Sequence, residues 1–193
     1  ILIERQGYSE RIERMFGKGM VVSLTGQRRV GKSCVMRRIY EKYSQDSHNN
    51  VIYIDMEKTA FAGITNYKDL EAYVAERLDS SKNNYLFIDE VQEIKDFEKA
   101  ILSLQSDESC QIMVTGSNAK MLSSEMATVL TGRYLQVEML PFSLSETMEW
   151  KGLSTKGNNE AQTAEATVIA DDYLRNGGYP ETIDMRSITR NYL

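Results

Sequence analysis

The chain has 193 residues, 41% of them hydrophobic and 26% charged, and a net charge of −5. This length supports one domain with a real core. The acidic balance excludes a bulk electrostatic pull toward nucleic acid or an acidic membrane, leaving only local basic patches for such contacts. No apolar run reaches the length of a membrane span and no signal peptide is visible, so the expected location is the cytoplasm, without a membrane partner. Cys34 and Cys110 fit no metal spacing and read as small apolar residues of a reducing compartment. His48, the only histidine, lies in the polar stretch 44–50 and reads as a loop residue. The chain opens without a methionine and stops without a polar tail, which reads as a fragment of a longer protein.

In chain order, residues 8–16 predict an amphipathic helix, with Ser9 as candidate cap and Ile12, Met15 and Phe16 facing inward. Gly17-Lys18-Gly19 breaks it. Met20 to Leu24 is short and β-branched, as a buried parallel strand should be. Residues 32–43 read as a helix with Val35, Ile39 and Tyr43 on one face. Val51–Asp55 is a second strand, 56–66 a loop, and 67–78 a helix facing inward with Leu70, Tyr73, Val74 and Leu78. Tyr85–Glu90 is a third strand, 97–105 a helix and Gln111–Thr115 a fourth strand. Residues 119–130 read as helical, and Tyr134–Met139 as a fifth strand. Short apolar strands alternating with amphipathic helices predict a parallel α/β sheet. After Pro141 the pattern turns helical, over 143–150 and 160–176, with the turn Gly177-Gly178-Tyr179-Pro180 behind.

Between the first strand and its helix, Gly26-Gln27-Arg28-Arg29-Val30-Gly31-Lys32-Ser33 satisfies G-x-x-x-x-G-K-[ST]. Strand, glycine loop and helix form the context in which this pattern is a phosphate site. Loop N–H groups must point at phosphate oxygens, so Gly26 and Gly31 are expected where a Cβ would intrude. The helix N-terminus favours the anion. Lys32 supplies a point charge for the β- and γ-phosphates, Ser33 a hydroxyl for Mg²⁺, and Cys34 closes the binding segment.

Asp89-Glu90 ends an apolar strand at the carboxyl edge, where α/β sheets place ligands. Asp89 fits a magnesium-holding role. Glu90 can orient a water and take its proton. Asn118, after the fourth strand, can bond a γ-phosphate oxygen and the attacking water, or simply cap a turn. Glu93 reads as a surface acid. The order of these segments resembles that of P-loop ATPases in which the fourth strand is inserted between the first and third, which implies a five-stranded sheet arranged 5-1-4-3-2. Thr155-Lys156-Gly157-Asn158 lacks the aspartate of a guanine-reading segment. Arg175, Arg186 and Arg190 form no clear cluster of the kind a small-molecule kinase needs.

At this point the chain resembles prokaryotic AAA-type ATPases with a C-terminal domain of unknown function, relatives of AAA+ and STAND NTPases. Five segments carry the resemblance: Gly26–Ser33, Leu86–Gln92 (LFIDEVQ), Thr115–Asn118 (TGSN), Leu130–Glu146 (LTGRYLQVEMLPFSLSE) and Tyr173–Glu181 (YLRNGGYPE). The phosphate loop by itself is generic; DEVQ, LTGR, PFSLSE and GGYPE together are specific. The resemblance implies ATP with Mg²⁺, and a catalytic role for Arg133 near the γ-phosphate of its own subunit or, in a homo-oligomer, of a neighbouring one. Read from its residues alone, Arg133 is equally a surface residue after a glycine turn. Ser33 and Cys34 stand where the family commonly has threonines.

The expected organisation is a P-loop ATPase core over 1–140 and a helical lid or subdomain over 141–193, truncated before a C-terminal domain that would bind a protein or nucleic acid. The expected function is Mg-dependent ATP hydrolysis driving a conformational or assembly switch. Two alternatives stay open: a nucleotide-gated binding module with negligible turnover, and the ATPase part of a DNA-handling protein.

Overall fold

The structure, a computed structural model, describes residues 5–117, 130, 132–153, 160–180 and 183. The chain divides into two compact units. The larger comprises Gln6–Gln27 and Lys32–Met139; the smaller brings Arg5 together with Arg28–Gly31 and the chain from Leu140 onward.

In the larger unit, helix α1 (Gln6–Met15) precedes strand β1 (Val21–Thr25). Helix α2 (Lys32–Ser44), β2 (Asn49–Asp55), α3 (Tyr67–Ala75), β3 (Asn83–Asp89), α4 (Phe97–Ser106), β4 (Gln111–Thr115) and β5 (Tyr134–Glu138) follow. The strands pair only in parallel, in the order β2-β3-β4-β1-β5, which is the expected arrangement read from the other edge. Parallel pairing brings the carboxyl ends of β1, β3 and β4 to one edge, so a loop, an acid and a hydroxyl far apart in sequence meet there.

Period-two alternation sorts the side chains between the two faces. Leu86 and Ile88 of β3, with Ile52 and Ile54 of β2, join a core that includes Leu70 and Val74 of α3 and Ile101 of α4. The alternate residues Tyr53, Tyr85 and Phe87 meet Phe16, Tyr40 and Tyr43 in a ring cluster, Phe16 lying 5.2 Å from Tyr43 and Tyr40 5.0 Å from Tyr53. Asp55 and Asp89 stand opposite each other in the β2–β3 register. Asn66 caps α3 in a capping box with Asp69.

Differences from the expected elements are local. Helix α3 stops at Ala75, leaving Leu78 beyond it. Strand β3 ends at Asp89, because Glu90 takes the left-handed conformation and leaves the ladder. Cys34 is exposed rather than apolar filling; Cys110 is buried, and burial pushes its thiol up to about 11. His48 is an exposed loop residue beside Asp46. The helix expected over 119–130 lies outside the described residues, apart from Leu130.

The smaller unit contains α5 (Leu144–Trp150) and α6 (Glu160–Asn176). Ser143 and Glu146 cap α5 reciprocally, with Glu146 N–H donating to Ser143 Oγ at 3.2 Å and Ser143 N–H to Glu146 Oε2 at 2.7 Å. Two of the motif segments meet here. Phe142 N–H donates to Gly178 O at 2.8 Å, and the Tyr173 hydroxyl to Phe142 O at 3.0 Å. A Cβ on Gly178 would stand 1.9 Å from Phe142 O, which is why that turn carries glycine. Among the described residues no helix is long and apolar enough to cross a membrane.

Candidate nucleotide-phosphate site

The loop after β1 is shaped by two glycines for different reasons. Gly26 has φ +137, and a Cβ there would stand 2.2 Å from Met139 O, the carbonyl just past β5. Gly31 has φ +96 but open space where its Cβ would go. Gly26 thus makes room for the Met139 carbonyl, and Gly31 supplies a conformation L-residues avoid. Arg29 also sits at positive φ, 71°. Gln27, Arg28 and Arg29 are exposed, Val30 is buried, and Cys34, the third residue of α2, is exposed.

Lys32 is the first residue of α2 and only 4% exposed. Its Nζ donates to Gly26 O at 3.1 Å and Gln27 O at 3.0 Å. The ammonium is thus held over the start of the loop by the carbonyls of its own turn. The same charge-assisted donors suit phosphate oxygens.

Asp89 is the centre of a hydroxyl shell. Ser33 Oγ donates to its Oδ1 at 3.0 Å, and Thr115 Oγ1 makes a short hydrogen bond to the same oxygen. Tyr53 OH donates to Oδ2 at 3.2 Å. The loop serine and the β3 acid, assigned separately to magnesium, therefore stand as neighbours. A pair of hard oxygens suits Mg²⁺, which takes few protein ligands and fills its octahedron with water and phosphate oxygens. Among the described residues no cluster of three or more His, Cys, Asp or Glu offers a competing metal cage.

Glu90 has φ 56 and ψ 53, and its N–H donates to Thr115 Oγ1 at 2.9 Å. Thr115 thus fixes both acids: its oxygen accepts from the Glu90 backbone while its proton goes to Asp89. The Glu90 carboxylate accepts from Gln92 Nε2 at 2.5 Å. Asp89 and Glu90, adjacent in sequence, have separate partners and separate roles open to them. Glu93 is exposed, as expected of a surface acid. Asn118 lies outside the described residues; Ser117, just before it, is within 3.5 Å of Gln92 Nε2.

Tyr53, Thr115 and Gln92 escaped the reading of the residues. Tyr53 reaches Asp89 only through the β2–β3 register, in which it lies beside Phe87. Its phenol is raised above the usual tyrosine range, by burial first and then by the Asp89 charge, with Arg37 acting in the opposite sense. Arg37 lies 3.8 Å from Asp55 Oδ2, and Lys58 3.4 Å from the same oxygen. Arg37, Lys58, Tyr40, Tyr53, Glu41 and Phe61 line a cavity of about 320 Å³.

Arg133 is not brought to this edge. Its carbonyl accepts from Val21 N–H at 2.9 Å, at the amino end of β1, and it lines a cavity of about 410 Å³ with Lys18, Gln105 and Gln111. Five residues of β1 separate that end from the loop, roughly 13 Å along a strand.

A family model described as an AAA domain matches residues 18–148. An uncharacterized protein of Haemophilus influenzae is 27% identical over 186 residues, covering 94% of this chain and 45% of that protein. An uncharacterized protein of Methanocaldococcus jannaschii is 31% identical over 171 residues, covering 87% of this chain and 38% of that protein. The chain thus spans less than half the length of these curated relatives. Among solved structures, the Saccharomyces cerevisiae Hsp104–ADP complex superposes with a TM-score of 0.66 at 20% identity, over 95% of this chain and 30% of that one. At that identity the likeness shows the fold.

Proposed function

Because the chain belongs to the family of AAA domains, we propose that it binds ATP with Mg²⁺ and hydrolyses it to ADP and phosphate, using the cycle to switch a larger protein's conformation or assembly. The observation that carries this reading is the Ser33–Asp89–Thr115–Glu90 arrangement. One threonine holds a metal-type carboxylate and, beside it, the backbone of a second acid whose side chain is left for other chemistry.

In this reading the loop amides of Gly26–Ser33 and the Lys32 ammonium bind the phosphates. Ser33 Oγ and Asp89 hold Mg²⁺, which when bound neutralises charge on the β- and γ-phosphate oxygens. Glu90 orients a water whose oxygen bonds to the γ-phosphorus while the bridging bond to the β-phosphate breaks. The water's proton passes to the Glu90 carboxylate. Asn118 is proposed to contact the γ-phosphate side of the same water. Arg133, at the amino end of β1, serves a neighbouring copy's nucleotide rather than its own, which makes a homo-oligomer the working form. The cytoplasm is the proposed location, and recognition of a protein or nucleic-acid partner is assigned to regions that the longer relatives have and this chain does not span.

The position of Arg133 also supports a second reading. A single chain does not bring that arginine to its own loop, so an isolated copy would act as a nucleotide-gated module with negligible turnover. One experiment separates the two: steady-state ATPase rate against protein concentration, for the parent chain and for Glu90→Gln. A rate per chain that climbs with concentration and falls roughly 10²-fold in Glu90→Gln supports the hydrolase. Binding of ATP with no Glu90-dependent turnover at any concentration supports the module.

A further inference from the structure

We propose that Gln92 is a positioning residue for the Glu90 carboxylate, tying it to the tip of β4. The proposal rests on the reading of Glu90 as the base and names what aims it. The Glu90 backbone is fixed through its N–H to Thr115 Oγ1 at 2.9 Å, but a glutamate side chain keeps several rotors of its own. Its carboxylate Oε2 accepts from Gln92 Nε2 at 2.5 Å, and the same nitrogen lies 3.5 Å from Ser117 Oγ, two residues past the end of β4.

The sequence between them explains why the amide can reach. Val91–Glu93 is a single 3-10 turn, with Glu93 N–H donating to Glu90 O at 3.1 Å and Ile94 N–H to Val91 O at 3.0 Å. Val91 and Ile94 are buried at 0% and 1% exposure, so the turn is pinned on both sides of Gln92. Gln92 itself is half-buried, whereas the next residue, Glu93, is exposed. A glutamine serving only the turn would point its amide at water. This one places Oε1 in a buried position with no hydrogen-bond partner among the described residues, a cost the fold bears while Nε2 is aimed at Glu90.

The chemistry suits the task. A carboxamide donates to a carboxylate without titrating, so it orients the base without competing for its proton. It also links the turn after β3 to the segment after β4, beside Asp89 and Thr115, the last residues of those strands.

The test is a double-mutant cycle in the 193-residue chain, with ATP turnover and binding of a fluorescent ATP analogue both measured. Gln92→Ala is expected to lower kcat about tenfold with KM and analogue affinity within about twofold, and with an unchanged melting temperature. Gln92→Glu, of the same shape but with no amide donor, should lose as much. In the Glu90→Gln background, Gln92→Ala should cost nothing further, measured in single turnover. Equal losses in both backgrounds would show that Gln92 acts independently of Glu90 and would overturn the proposal, as would an unchanged or raised kcat. A parent chain without ATPase activity removes the hydrolase reading and this inference together; an ATPase sensitive to Glu90→Gln but indifferent to Gln92→Ala removes the inference alone.

Discussion

The Arg5 guanidinium and the Glu146 carboxylate pair twice, Nε to Oε1 at 2.8 Å and Nη2 to Oε2 at 3.2 Å. Arg5 also donates to Val30 O at 3.1 Å and Pro141 O at 3.4 Å, and its guanidinium lies 5.3 Å from the Phe142 ring centre. One nearly buried arginine, 6% exposed, thus joins the middle of the glycine loop to the start of α5. Arg5→Ala leaves a carboxylate and two carbonyls short of donors, and should destabilise the protein by about 3 kcal/mol, the scale for breaking one partner of a largely buried pair. Chemical denaturation reads this directly. Arg5→Lys should recover little of it, because an ammonium cannot make the forked contact.

The same pair sets an acid limit. Burial acts to raise the Glu146 carboxyl, but hydrogen bonds from Arg5 and Ser143 outweigh it and hold the group below the usual carboxylate range. A depressed folded value means the pair's stabilisation is fully present above the unfolded glutamate value, about 4.3. It is then lost as pH falls through the folded one. The stability gap between the parent chain and Glu146→Gln should therefore be constant near neutrality and close in acid. A gap that widened in acid would contradict the assignment.

Lys32→Ala should weaken Mg-ATP binding at least tenfold, since it deletes the charge-assisted donor at the loop. Stability should fall by only about 1–2 kcal/mol, because of the two carbonyls released Gln27 O belongs to an exposed residue and only Gly26 O is left in a buried position. Titration with a fluorescent ATP analogue checks the first statement and thermal melting the second. Unchanged affinity would remove the phosphate-loop assignment.

Tyr43, Tyr53, Tyr85 and Tyr134 all have phenols raised above the free value, in each case chiefly by burial. The folded protein should therefore show a delayed phase of tyrosine ionisation in an alkaline absorbance titration, and denaturant should abolish it. A raised folded value contributes stability that is present below the unfolded pKa, about 10. That stability is lost as pH rises through the folded values. Tyr53→Phe should shrink the delayed phase by one phenol. An identical titration curve would place Tyr53 elsewhere than against Asp89.

Gly26→Ala tests the loop's other side. The new Cβ would meet Met139 O at 2.2 Å at a φ of +137, and Met139 is anchored by its own N–H to Thr25 O at 2.7 Å. Neither backbone can yield cheaply. A loss of about 3 kcal/mol, roughly 10 °C of melting temperature, is expected. Gly31→Ala meets no neighbour and should cost less, leaving only the φ penalty.

The sheet order, set by long-range pairing, followed from the likeness of the segment order to P-loop ATPases. The Asp89-Glu90 pair was legible because it depends on local pattern: four apolar residues, Tyr85 to Ile88, precede two acids. The bounds of α6 follow from its helical run in the same way. Tyr53, Thr115 and Arg5 were not legible as site residues, because each matters through a partner set by register or tertiary packing. Tyr53 meets Asp89 only because β2 and β3 both end on an aspartate in the same register. The signal available in advance was that coincidence, Tyr-x-Asp in one strand and Phe-x-Asp in the next. Gln92 stood inside the recognised DEVQ segment, yet its direction depends on a 3-10 turn no period reveals. For Arg5 the pattern held only a lone cation before a helix.

The central position of β1 has a consequence for how the protein is made. Its two neighbours, β4 and β5, pair Val22 with Met113 and Leu135, so both arrive late from the ribosome. The β2–β3 ladder, seven register pairs joined by α3, can close long before. Closing the larger loops costs more entropy and slows folding. The nascent chain therefore holds its glycine loop on an unpaired strand until Gln111–Thr115 has been synthesised. The loop that carries the proposed phosphate site is thus among the last parts of the larger unit to rest on a paired strand.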